Sequence, residues 1–149
     1  MNERAAPAVP FRLQAEALER AQRLFNERGE VRWFGFEGRF EEGAIVAIRF
    51  GELHEGLQGG GGTQAINGGV IAAGFDAAVV MTGLGHYETD TIVTVDLSVQ
   101  FLALAKPGPE LAWRAWATRT TRGLCFVQAV LGDATAAYAS ATGVVKPLG

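Results

Sequence analysis

Hydrophobic and polar positions change period several times along the 149-residue chain, and each change marks an element. Over residues 11–28 the apolar side chains Phe11, Leu13, Ala17, Leu18, Ala21, Leu24 and Phe25 recur at helical spacing, with charged residues between them. This predicts an amphipathic helix packed on the edge of a core, stopped by Gly29. Residues 1–10, with three Ala and two Pro, read as a flexible N-terminal arm. Residues 11–149 read as a single domain. Aromatic-rich stretches at 31–40 and 44–50, joined through Glu41-Glu42-Gly43, predict a hairpin. Over 51–66 the periodicity disappears, and Gly59-Gly60-Gly61-Gly62 predicts a loop.

The run from Val70 to Met81 carries only small or apolar side chains, with one exception, Asp76. It is too long for an ordinary buried strand and predicts a helix, ending near Gly83-Leu84-Gly85. A helix that is apolar all round is expected to be buried on every side. A lone carboxylate there is costly unless it is hydrogen-bonded or has a chemical task. Asn67-Gly68-Gly69 stands at its start. Asn caps a helix well, and two glycines let another group approach bare backbone N–H donors.

Beyond the helix the period becomes two. Val93, Val95, Leu97, Val99 and Phe101 alternate with Thr94, Asp96, Ser98 and Gln100, which predicts one core face and one face for water, ligand or a partner chain. Further strands are read at 110–119, 124–131 and 135–145, separated by turns at Thr120-Thr121-Arg122-Gly123 and Gly132-Asp133. About six antiparallel strands around one long helix make an α+β architecture.

Composition removes several function classes. The net charge of −3 gives no nucleic-acid footprint. The apolar run is too short to span a bilayer, and residues 1–10 hold no apolar signal segment, so the expectation is a cytoplasmic protein with no membrane partner. Cys125 is the one cysteine, which excludes an internal disulfide and reads as a buried core thiol. No His or Cys cluster offers a metal site, and none is expected.

The helix opened by Asn67-Gly68-Gly69, its Asp76, and the strand from Val93 to Leu102 resemble the hotdog fold. Within it they resemble acyl-CoA thioesterases of the phenylacetyl-CoA and 4-hydroxybenzoyl-CoA type. The approach Glu55-Gly56-Leu57-Gln58-Gly59 is similar to that family's loop before the helix. The resemblance implies a hotdog domain, with an antiparallel sheet wrapped around the central helix behind the N-terminal helix. It implies hydrolysis of an acyl-CoA with an aromatic or medium-chain acyl group, with coenzyme A as part of the substrate and no other cofactor. Gly68 then gives its N–H to the thioester oxygen, Asp76 acts as general base or nucleophile, and Thr94 supports the attacking water. Asn67 stands where the family usually has His. His54, Gln58 and Gln64 are the candidates for positioning the carbonyl, Gly69 lies beside the donor, and Arg122 (with Lys106 and Arg119) is a candidate for the CoA phosphates.

Gly68 and Asp76 are eight residues apart, about 12 Å along a helix, so one thioester does not reach both in one chain. Two antiparallel copies about a twofold axis would bring Gly68 of one near Asp76 of the other. The expectation is therefore a homodimer, with a dimer of dimers as the larger form. The competing readings are a hotdog hydratase or dehydratase and a non-catalytic acyl-binding domain.

Overall fold

The computed structural model describes residues 7–59 and 61–149. In chain order the elements are α1 (Ala15–Asn26), α2 (Gly29–Phe34), β1 (Phe36–Glu41), β2 (Ile45–Phe50), a 3₁₀ turn (Glu55–Leu57), β3 (Gln58–Gly59), β4 (Ala65–Ile66), α3 (Gly68–Leu84), β5 (Ile92–Phe101), β6 (Ala112–Thr120), β7 (Cys125–Gly132) and β8 (Ala137–Pro147). Six strands form one antiparallel sheet in the order β1-β2-β6-β7-β8-β5. The short β3 and β4 pair separately beside the start of α3. The sheet wraps α3, and the architecture is α+β with six main strands, as the periodicities predict. Among the described residues no helix is long and apolar enough to cross a membrane.

The amphipathic helix begins at Ala15, later than expected, because the residues before it are irregular and tied by backbone hydrogen bonds to β6 and to the end of α3. Val9 donates its N–H to the Ala117 carbonyl at 2.8 Å. Arg12 and Leu13 donate theirs to the Gly85 carbonyl at 3.1 and 3.2 Å. Of the expected arm, residues 1–6 lie outside the described residues. The aromatic stretch expected as strand from residue 31 turns helical over its first part. Arg32 bonds back to Arg28, and Gly35 closes the helix at φ 73°. Only glycine suits that close, because a Cβ at Gly35 would run into the Glu52 carbonyl.

Core packing is organised by Trp113, which is fully buried. Its ring meets Phe36 and Phe50 edge-on at 5.3 Å each, and its Nε1–H donates to the Ile71 carbonyl at 3.1 Å. A Cβ at Gly74 would sit inside that ring, so the missing side chain is what lets α3 settle on the sheet.

Two differences from the sequence expectation shape the site. First, α3 is not buried all round: Asn67, Gly68, Gly69 and Asp76 are exposed, and Ala72, Ala73 and Ala77 are only half-buried. The sheet covers one side of the helix, and no other described element covers this stripe. Second, the alternation of β5 is interrupted. Thr94 stands opposite Val145 and Asp96 opposite Val144, so Val95 is an extra residue, a β-bulge. Ile92 and Thr94 face the helix before the bulge, and Leu97, Val99 and Phe101 face it afterwards. A strict period of two would have put Thr94 and Phe101 on opposite faces.

Candidate active site

Asn67 caps α3 by accepting the Gly69 N–H on its side-chain oxygen at 2.8 Å. The cap is braced from behind. Asn67 donates its own N–H to the Leu57 carbonyl at 3.0 Å, and Ile66 donates to the Ala105 carbonyl at 2.8 Å. Asn67 thus consumes the Gly69 donor, while the Gly68 N–H has no acceptor among the described residues. The first-turn N–H groups of a helix have no intrahelical partner, and the positive end of the helix dipole adds to their pull on negative charge.

Packing does not require glycine at this position. A Cβ at Gly68 would meet only the Phe101 ring, at 3.6 and 3.8 Å, which is ordinary contact. Gly74 in the same helix has no such room. Glycine costs roughly 1 kcal/mol against alanine in a helix interior. Gly68 is the first helical residue, where that cost is smaller, and packing does not call for glycine there; what the missing side chain leaves is open backbone beside an exposed donor.

Asp76 lies two turns further along the same open stripe. Its Oδ1 accepts the Thr94 hydroxyl at 2.6 Å, across from α3 to β5. This short bond holds one carboxyl oxygen, and the other has no hydrogen-bond partner among the described residues. The bulge at Val95 makes it possible, since it is what sets Thr94 on the helix side of β5.

The remaining predicted site residues scatter. Gln58 and Gln64 brace each other, the Gln58 side-chain amide donating to the Gln64 carbonyl at 2.8 Å, and Gln64 holds φ 63°. His54 packs its ring edge-on against Trp33 at 5.8 Å, on the segment that carries Leu57 to the Asn67 cap. Arg122 is exposed in the β6–β7 turn, past the C-terminal end of α3, where the Tyr87 hydroxyl donates to the Thr121 carbonyl at 2.8 Å. Within one chain it is not brought to Gly68. Cys125 is fully buried, which pushes its thiol up to about 12, so no thiolate is on hand. His86 is buried under Phe11 at 5.4 Å, and burial pushes it down to about 4. Neither histidine joins Asp76. The alternation failed before the bulge: Val95, read as core-facing, is 55% exposed, and Thr94, read on the other face, meets the helix. Phe101 lies on the helix side as read, yet is 57% exposed beside Gly68.

A family model matches residues 63–139, which span the Asn67 cap, α3, Asp76, Thr94 and Phe101. The chain belongs to the thioesterase superfamily. Solved structures of similar form include a phenylacetic acid degradation-related protein from Ralstonia eutropha JMP134, with 20% identity over 85% of this chain and 98% of that one at a TM-score of 0.71. The E. coli PaaI protein from the phenylacetic acid degradation operon shares 13% over 90% and 94% at a TM-score of 0.72. Thioesterase superfamily member 2 from Mus musculus shares 17% over 92% and 100% at a TM-score of 0.70. At these identities the likeness is one of fold, and that fold is the hotdog. A search of curated proteins gives no match.

Proposed function

We propose that the protein hydrolyses the thioester of an acyl-CoA carrying an aromatic or medium-chain acyl group. The observation that carries this reading is the Thr94–Asp76 hydrogen bond of 2.6 Å on the open face of α3. It presents a fixed, accessible carboxylate on the same stripe as a free backbone donor.

In this reading the thioester carbonyl oxygen sits on the Gly68 N–H. Negative charge that develops on that oxygen during attack meets a preorganised donor and the positive end of α3. Asp76 either removes a proton from water as the water adds to the carbonyl carbon, or attacks that carbon itself. Collapse of the tetrahedral adduct expels the CoA thiolate. If Asp76 was the nucleophile, water then hydrolyses the anhydride. Thr94 keeps the carboxylate oriented throughout. Because Gly68 and Asp76 are about 12 Å apart along one helix, each pocket combines Gly68 of one copy with Asp76 of a second.

Release of free thiol from a panel of acyl-CoA thioesters tests the reading. Wild type should turn over at least one aromatic or medium-chain member. Asp76→Ala should lose roughly 10²- to 10⁴-fold in kcat, the usual weight of a positioned base. Thr94→Val should lose about 10- to 100-fold, the cost of one hydrogen bond to a charged group. No turnover by wild type, or an Asp76→Ala variant as fast as wild type, defeats the assignment.

A further inference from the structure

We infer that Phe101 forms the acyl-side wall of the slot at the Gly68 donor and determines which acyl groups the site accepts. This deepens the thioesterase reading and rests on it, and the test below separates the two.

The Phe101 ring lies at van der Waals distance from where a side chain at Gly68 would begin, 3.6 Å from Cε1 and 3.8 Å from Cζ. The space between the first helical residue and the ring is therefore about one methyl group deep at the backbone and opens outward. The ring is 57% exposed, so it is not there to fill the core. A large aromatic surface left open beside a free N–H donor is suited to a group that is polar at one end and apolar at the next bonds. A thioester has that form: the carbonyl oxygen goes to the donor, and the first carbons of the acyl group lie along the ring.

The wall is held in place. Leu102 and Ala103 donate their N–H groups to the Tyr138 carbonyl at 2.9 and 3.0 Å. Ala105, fully buried, accepts from Ile66 one residue before the Asn67 cap. The segment that carries Phe101 is thus tied to both the sheet and the start of α3. One backbone feature sets Thr94 and Phe101 together: the Val95 bulge turns both toward the helix, Thr94 to Asp76 and Phe101 to Gly68. The bulge therefore serves both ends of the open stripe.

The experiment compares wild type, Phe101→Ala and Phe101→Leu on acetyl-CoA, a straight-chain C8 acyl-CoA and an arylacetyl-CoA. Turnover and calorimetric binding are measured for each, with thermal melting and sedimentation as controls. Phe101→Ala should raise KM and Kd for the C8 and arylacetyl thioesters about tenfold or more, leave kcat within about twofold, and leave acetyl-CoA nearly unchanged. Phe101→Leu should restore the C8 substrate more fully than the aromatic one. An equal effect on all three thioesters, or none on any, overturns the inference. Dissociation of the assembly by Phe101→Ala also overturns it, and would place the ring at a contact between copies. If wild type turns over nothing yet binds the longer thioesters in a Phe101-dependent way, the wall stands and the hydrolase reading falls. If wild type neither turns over nor binds them, both fall.

Discussion

Asp76 and His86 are both polar residues on or beside an apolar helix, and their surroundings give them opposite parts. Asp76 is exposed and bonded to Thr94. His86 is sealed beneath Phe11, and its Nε2 has no partner among the described residues. Burial favours its neutral form and lowers it to about 4, against an ordinary value near 6.5. The unfolded chain therefore binds a proton that the folded chain refuses between those values. The stability tied to neutral His86 is complete above pH 6.5 and declines as the pH falls toward 4. The full decline is at most about 3 kcal/mol, since each tenfold loss of proton affinity on folding is worth about 1.4 kcal/mol and solvent screening reduces the burial effect. Urea midpoints at pH 7 and pH 4.5 should show most of that loss, and His86→Phe should flatten the profile over the same interval. An unchanged slope in the variant would assign the loss to other groups.

Elements impose a different logic on identical residues. Gly68 and Gly74 belong to the same helix. Gly74 carries no side chain because the Trp113 ring occupies the place, whereas Gly68 has room for one. Alanine should thus act with opposite sign at the two positions. Gly74→Ala should destabilise by about 1–3 kcal/mol through overpacking. Gly68→Ala should stabilise by up to about 1 kcal/mol through helix propensity. Equilibrium denaturation of the two variants checks the pair, and destabilisation by both would mean that the start of α3 is packed, not open. The helix, its Asn67 cap and the four C-terminal strands were legible because period and punctuation are local signals. The helical 29–34 segment was not, because its aromatics read as strand until Gly35 is fixed against Glu52, a contact between distant residues. The bulge was equally hidden. Val95 looks like any other odd-numbered apolar residue, and only the pairing of β5 with β8 makes it the extra one.

On the scale of the whole molecule, the open stripe of α3 and the unpaired edge of β5 lie side by side, since β5 ends the sheet order. A proposed site shared between two copies gives a test that no single chain can mimic. Asn67 holds φ −58° and ψ 138°, an extended form that a following proline accepts. Gly68→Pro should then keep α3, since proline suits the first helical position, while deleting the proposed oxyanion donor. Gly68→Pro and Asp76→Ala should each be inactive alone. Refolded together in equal amounts, half of the dimers are mixed, and each mixed dimer has one intact pocket. Activity should return to about a quarter of wild type. A mixture that remains inactive would place the donor and the acid of each site in the same chain.

The sequence by itself determined the α+β architecture, the central helix and its cap, and the candidacy of Asp76 and Gly68. These depend on hydrophobic period, chain punctuation and residue chemistry, all carried by neighbours along the chain. Only the tertiary structure decided which side of α3 is open, that Thr94 reaches Asp76, and that Phe101 stands over Gly68. Each of those depends on strand register. One unpaired residue, Val95, reverses the facing of the rest of β5, and no local pattern records where it falls.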